Sequence, residues 1–228
     1  MKITLEAILR ALSHETLSFM SDSNHANGTI QPDQIPKVLG RINGVLRRLS
    51  VKFVLNEKRV SFQVTPGQRS YSLADRAAWI IDTPSEPFLG DVATILGIEA
   101  PCGRMYNLRD KATHDSILLK DEGTTFVLDT HLKSGVYEVI YKAKTPQFKE
   151  SSTPDLNEIL NIPEALLNAL YLGVAALTYE GIGGEDNVNM ARSKWRQFDA
   201  DCLDAKIYSA VEDEEHEEVN RFLDRGFK

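Results

Sequence analysis

The sequence predicts an α+β protein in which helices from both ends of the chain form a bundle with an inserted β-rich module. Apolar residues recur at helical spacing in residues 1–57 and 146–208, whereas they alternate with polar residues between 58 and 145. With 228 residues, 42% of them hydrophobic, the chain is large enough for a packed core. Residues 209–228 are acidic and form a predicted C-terminal arm.

Two amphipathic helices are predicted before the β-rich module. The first has Thr4 as its N-cap and should stop near Ser21. The turn-forming stretch from Ser21 to Asp33 predicts a surface loop. The second helix, from about Asp33 to Lys52, has one apolar arc. That arc consists of Ile35, Val38, Leu39, Ile42, Val45, Leu46 and Leu49.

Basic residues gather on the other side of this second helix. They are Lys37, Arg41, Arg48 and Lys52. Such a face is usually solvated, but it also offers a partner-binding surface, for which we single out Lys37, Arg41 and Arg48. Binding of nucleic acid there is a weaker alternative, because no aromatic residues interleave with the cations and the net charge of the chain is -7.

The β-rich module begins with a predicted hairpin. Val60, Phe62 and Val64 alternate with polar residues, a Pro-Gly turn follows, and Tyr71 and Leu73 alternate again. Further predicted strands span residues 92–98, 116–119, 125–128 and 136–141. In the last of them, residues 137, 139 and 141 share a face.

A helical hairpin is predicted after the module. Its first helix begins at Pro163 and ends at the glycines of GIGGEDN, which join it to the next helix. The second helix has a seam with alternating steps of three and four residues. We expect Trp195 and Phe198 in that seam to be buried against the first helix. The seam consists of Val188, Ala191, Trp195, Phe198 and Cys202.

No motif for catalysis, for a cofactor or for a metal is recognisable, so the chain is predicted not to be an enzyme. The five histidines lack ligand spacing, and GIGGEDN follows a helix where a phosphate loop would follow a strand. Cys102 and Cys202 are expected to be free thiols. No apolar stretch approaches a membrane span, and Glu6 and Arg10 argue against a secretory signal, so we expect a cytosolic chain. An enzyme with dispersed catalytic residues remains the weakest alternative.

The C-terminal arm is predicted to contact a partner. Residues 209–228 contain seven acidic residues and three basic ones, and residues 212–218 offer almost no apolar atoms to bury. A charged spacer followed by apolar anchors suits a segment that orders on binding, although a disordered tail is the alternative. The candidate contact residues are Glu214, Glu215, Glu218, Phe222, Leu223 and Phe227.

Four segments between Ile35 and Ala205 resemble the head-to-tail adaptor proteins of tailed bacteriophages, the tail tubular protein A or gateway group. The helix IPKVLGRINGVLRRL is similar to the amphipathic helix that precedes the β module in that family, and FQVTPGQRSYSL is similar to its strand, turn and strand. Residues 105–128 resemble its later strands. Residues 163–205 resemble its C-terminal helical hairpin.

This resemblance implies a structural protein of the virion, assembled in the host cytoplasm and placed at the head-tail junction. It implies a ring, usually dodecameric, between the portal and the tail or nozzle proteins, with no membrane contact. Genomic DNA would pass through its channel without specific binding. Another phage neck protein, a head-completion or tail-terminator protein, is the nearest alternative.

Overall fold

The structure, a computed structural model, divides the chain into two units. The helical unit comprises residues 1–53 and 146–228, and the β unit comprises residues 54–145. The structure describes residues 2–16, 23–24, 29–65, 67–73, 79–81, 87–108, 116–120, 124–128, 134–145 and 147–224. Its helices and mainly antiparallel strands confirm the predicted α+β class.

The helical unit begins with strand β1 (Lys2–Thr4) and helix α1 (Leu5–Ala11), which a π-helical turn extends to Thr16. The Thr4 hydroxyl accepts a hydrogen bond from the Ala7 amide at 3.3 Å, which confirms the predicted N-cap. The predicted end near Ser21 lies outside the described residues. Within the stretch predicted as a loop, strands β2 (Ser23–Asn24) and β3 (Thr29–Ile30) pair antiparallel. Part of that stretch is therefore a short antiparallel ladder. Turn-forming residues are compatible with such a ladder, because they connect paired strands.

The returning chain holds the first helix in place. Strand β12 (Ile159–Asn161) pairs antiparallel with β1. The amides of Leu5 and Glu6 donate hydrogen bonds to the carbonyl oxygens of Glu158 and Leu156, at 2.9 and 3.0 Å. These are the orphan donors that every helix start leaves, so the two bonds stabilise α1 where it begins.

Helix α2 (Ile35–Lys52) confirms the second predicted helix. Pro36 stands in its first turn, where a missing N–H has no helical partner to lose. Of the predicted apolar arc, Ile35 is half-buried and the other six residues are fully buried. Burial of each such side chain contributes about 1.5 to 3 kcal/mol, so this arc is a main source of stability for the helical unit.

Helices α3 (Leu167–Ile182) and α4 (Glu185–Asp224) form the predicted helical hairpin. A short 3₁₀ turn, Glu164–Leu166, precedes α3, and Pro163 caps that turn. Gly183 and Gly184 have φ values of 75° and 86°, a left-handed conformation that glycine adopts without strain. The GIGGEDN segment is therefore a turn between helices, as predicted.

Helix α3 is the central helix of this unit. The segment Glu164–Ile182 is long and apolar enough to cross a membrane by length and composition alone. It is a core helix of the unit, because α3 packs against both α2 and α4. Its buried residues are Ala169, Leu170, Gly173, Val174, Ala175, Ala176 and Thr178. The only polar side chain among these, that of Thr178, donates its hydroxyl to the Val174 carbonyl at 2.7 Å.

The β unit contains one eight-stranded sheet. Its strands are β4 (Glu57–Val64), β5 (Ser70–Ser72), β6 (Ile80–Ile81), β7 (Val92–Glu99), β8 (Met105–Leu108), β9 (Ser116–Lys120), β10 (Thr125–Leu128) and β11 (Gly135–Ala143). Their spatial order is β5-β10-β9-β8-β7-β11-β4-β6, and only β8 and β9 run parallel. Four of these strands match the four predicted after the hairpin. Tyr137, Val139 and Tyr141 are all buried, as their shared face predicts.

The predicted hairpin between Val60 and Leu73 is wrong. Strand β4 pairs with β11 and β6, whereas β5 pairs with β10 near the opposite end of the sheet. The rings of Phe62 and Tyr71 nevertheless lie 5.3 Å apart, and the Phe62 and Phe126 rings lie 5.2 Å apart. The sheet therefore curls until its ends pack face to face. Alternation predicts the strands correctly but does not choose their partners, because that choice depends on long-range pairing.

We expect Gly173→Ala to destabilise the helical unit. A Cβ atom there would lie 2.7 Å from Cγ1 and 2.9 Å from Cγ2 of Val45, a stiff β-branched side chain on α2. Overpacking should outweigh the better helix propensity of alanine and cost about 1 to 2 kcal/mol in urea unfolding. Gly44→Ala is the control, because its Cβ meets only Leu177 at 3.4 Å. Equal stability of the two variants would contradict this close helix approach.

Candidate interaction surface

The basic residues of α2 do not form a uniform solvated face. The Lys52 ammonium lies 2.7 Å from Oδ1 of Asp199 on α4 and 5.1 Å from the centre of the Phe198 ring. The Arg48 guanidinium lies 4.1 Å from the centre of the Trp195 ring. Helix α4 thus places aromatic and acidic side chains against two of the four cations that the sequence predicts on one face of α2, a face that does not include the fifth basic residue of the helix, Arg47. Arg48 precedes Lys52 by four residues on α2, and their partners Trp195 and Asp199 are in the same order, four residues apart, on α4. The two helices therefore run in the same direction.

The two remaining cations lie away from α4. Lys37 is exposed and donates a hydrogen bond to the Gln34 carboxamide at 3.0 Å. The Arg41 guanidinium lies beside Gly181, where α3 ends. Lys37 and Arg41 are about 16 and 10 Å from Arg48 along the axis of α2, so the three predicted contact residues do not converge on one spot.

A shallow groove lies between α2 and α4 at Arg48. Six residues line this Arg48 groove: Arg48, Val51, Lys52, Trp195, Phe198 and Asp199. Val51 is 86% exposed, an unusual degree of exposure for an apolar side chain next to two aromatic rings. The groove therefore combines an uncovered apolar wall with a cationic rim.

Arg48 differs chemically from Lys52. Lys52 already binds a carboxylate, whereas no ion pair involves Arg48 within the described part of the chain. Stacking on Trp195 restrains the planar guanidinium and leaves its N–H donors at the edge of the plane. The Arg48 guanidinium is thus pre-organised to donate hydrogen bonds to a carboxylate from outside the groove.

The prediction that Trp195 is buried is wrong, whereas the prediction for Phe198 is correct. Phe198 is 2% exposed, but Trp195 is only half-buried and Val188, at the start of the seam, is exposed. The Trp195 indole N–H donates a hydrogen bond to Glu180 of α3 at 2.7 Å. The ring lies on the flank of α4, between Glu180 and Arg48, because those side chains bind its polar edge and its face.

The cysteines are free thiols, as expected, with Cys102 exposed and Cys202 buried. Burial raises the pKa of the Cys202 thiol, and the acidic neighbours Asp199 and Asp201 raise it further against the opposing effect of Lys52. The thiol is therefore protonated at neutral pH. It acts as a small packing residue behind the Arg48 groove.

The acidic C-terminal arm begins as a continuation of α4. The backbone of this helix is continuous through the acidic run to Asp224. The side chains from Tyr208 onward lie outside the described residues, and this applies to the predicted contact residues Glu214, Glu215, Glu218, Phe222 and Leu223. Phe227 lies outside them entirely.

In the β unit, ion pairs link neighbouring strands. Lys58 binds Asp91 at 2.6 Å, and Arg59 binds Glu99 at 2.8 Å. The Tyr141 hydroxyl donates a hydrogen bond to Asp91 at 3.2 Å. Burial and the Asp91 carboxylate together raise the pKa of Tyr141. These groups satisfy one another's charges and hydrogen bonds across β4, β7 and β11. We therefore assign them a structural role in the sheet.

The sequence contains a signal for the groove beyond its apolar periodicity. Arg48 and Lys52 are four residues apart on one predicted helix, as are Trp195 and Asp199 on another. Matched spacings of this kind indicate two helices in contact through cation–π and ionic pairs. Val51 gave no signal, because only the packing of α4 shows that it stays uncovered.

One family model matches most of the chain. The family model described as SU10 adaptor protein matches residues 4–219, which include both units and most of α4. No curated protein matches the chain.

We expect Trp195→Ala to cost about 2 kcal/mol in urea unfolding followed by circular dichroism. This is less than for a fully buried tryptophan, because the Trp195 side chain is only partly buried. Trp195→Phe is the matched control: it retains a ring for Arg48 and loses only the bond to Glu180, so it should cost about 1 kcal/mol or less. If both variants were as stable as the parent chain, the stack would contribute nothing to the position of α4.

Proposed function

The chain belongs to the SU10 adaptor protein family, a family of bacteriophage structural adaptors, and we propose that it forms a ring between the portal and the tail of a tailed phage. The proposed ring is dodecameric. One side binds the portal protein and the other binds tail or nozzle proteins at the head-tail junction, after assembly in the host cytoplasm. Genomic DNA passes through its channel, and the chain has no catalytic role.

The family match carries this proposal. It spans residues 4–219 of 228, so the helical unit, the β unit and most of α4 all fall within it. As a phage adaptor, the chain is a virion component that interacts with other virion proteins. The ring and its particular partners are our extension of that role.

A closed ring requires two different complementary surfaces on each subunit, since every copy uses one surface to bind the next copy's other surface. The helical unit offers one candidate in the Arg48 groove, which is apolar and cationic. The acidic extension of α4 offers a candidate of opposite charge. Complementary charges favour encounter and register, although each exposed pair contributes little.

The distribution of charge supports passage of DNA without specific binding. The chain carries a net charge of -7, and three described cations, Lys52, Lys58 and Arg59, are bound to carboxylates. Phosphate binding depends on accessible clusters of lysine and arginine. A channel wall with a net negative charge would let the duplex slide.

Electron microscopy of the purified chain, alone and mixed with the portal protein of its phage, tests the ring directly. We expect closed dodecameric rings that stack coaxially on the portal, because both contacts are part of the proposed adaptor role. A chain that stayed monomeric under both conditions would contradict the proposal. Binding to a finished tail but never to the portal would favour a tail-terminator role.

Deletion of residues 209–228 should leave the subunit folded and abolish ring formation or portal attachment. The truncated chain keeps the contacts of α4 with α2 and α3 that lie before residue 209, such as Asp199 with Lys52 and Trp195 with Glu180. Circular dichroism checks the fold, and sedimentation velocity with portal pull-down checks assembly. Deletion of residues 225–228 alone is the control. Normal rings and infectious particles from the longer deletion would refute a role for the arm.

A further inference from the structure

We propose that the Arg48 groove of one copy binds the acidic end of α4, residues 212–223, from a neighbouring copy. This contact presupposes the ring proposed above and assigns one of its interfaces. It identifies the occupant of the groove as a second copy of this chain. A helical segment with carboxylates followed by an apolar anchor is the chemistry that the groove fits.

The acidic segment cannot reach the groove of its own chain. Helix α4 is continuous from Glu185 to Asp224, and Trp195, beside the groove, is 19 residues before Glu214. At 1.5 Å per residue, the two positions are about 28 Å apart along one helix axis. An acidic side chain spans only a fraction of that distance. Contact between the acids and this groove is therefore possible only between copies.

The segment would supply a carboxylate partner for the groove. Arg48 has no carboxylate among the described residues, and its stacking on Trp195 at 4.1 Å restrains the guanidinium. Pre-organisation of this kind lowers the entropic cost of binding a carboxylate. Lys52 is already paired with Asp199, so Arg48 is the residue that we assign as the carboxylate receptor.

The spacing of the segment is within about 1.5 Å of that of the groove. Glu218 and Phe222 are four residues apart in a helix, about 6 Å along its axis. Arg48 and Val51 are three residues apart in α2, about 4.5 Å along its axis. A carboxylate on Arg48 would thus bring an apolar anchor level with the exposed Val51 side chain, which at 86% exposure has the most surface to bury.

Charge reversal with rescue tests this contact in the full-length chain. Arg48→Glu should raise the protein concentration needed for half-maximal ring assembly by about tenfold or more, as loss of a charge-assisted hydrogen bond implies. The triple variant E214K/E215K/E218K should do the same. Combining both sets restores attraction, so assembly should return to within about threefold of the parent chain. Sedimentation velocity over a concentration series measures each value.

Two further variants separate the contact from folding and from bulk charge. Val51→Asp changes a residue that is already exposed, so it should weaken assembly while the circular dichroism spectrum stays unchanged. Lys149→Glu makes the same change in net charge as Arg48→Glu, at an exposed site outside the groove, and should assemble normally.

The outcomes distinguish the groove contact from the ring itself. A parent chain that never forms rings contradicts both. Rings formed normally by Arg48→Glu and Val51→Asp would overturn the groove contact and leave the ring intact. If the triple variant formed normal rings and failed only to attach to the portal, the portal would be the occupant of the acidic segment, and the proposed contact between copies would be wrong.

Discussion

The re-entry of the chain into the helical unit depends on a buried amide interaction between Asn43 and Phe148. The Asn43 carboxamide donates to the Phe148 carbonyl at 2.8 Å and accepts from the Phe148 amide at 2.9 Å. Asn43 is 3% exposed, so either main-chain group without a partner would cost about 1 to 3 kcal/mol. The chain has just crossed 92 residues of another unit. This pair fixes where the segment leading to β12 and α3 begins.

Several features of the helical unit follow from that fixed point. The segment after Phe148 supplies the carbonyl oxygens of Leu156 and Glu158 that satisfy the first amides of α1. It then pairs as β12 with β1 and leads into α3. Helix α3 can approach α2 closely because Gly173 lies against Val45, with no side chain of its own to keep the helices apart. One polar contact and one glycine thus position the central helix.

Three described cations hold neighbouring elements of their own subunit together. Lys52, Lys58 and Arg59 each bind a carboxylate of the same unit, and such partly exposed pairs fix geometry more than they add stability. Arg48 is different because its partner is the face of Trp195, which leaves its hydrogen-bond donors for another molecule. This contrast is the reason to treat one basic residue of α2 as a contact site and another as a structural group.

The periodicity of apolar residues predicts the long helices and strands such as β4 and β7 in their order, because it depends only on the local backbone, whereas the short strands β1, β2, β3, β6 and β12 carry no such pattern. The buried arc of α2 from Val38 to Leu49, the alternation of Val60, Phe62 and Val64, and the glycine turn at Gly183 were all readable from that pattern. Which strands pair and which helix faces pack together depends on the tertiary structure. Strand β4 pairs with β11 and not with β5. Trp195 lies on the flank of α4 and not in the core between α4 and α3. The Arg48 groove likewise exists only where α2 and α4 pack together. Pairing and packing depend on contacts between residues far apart in the chain, and no local period records those contacts.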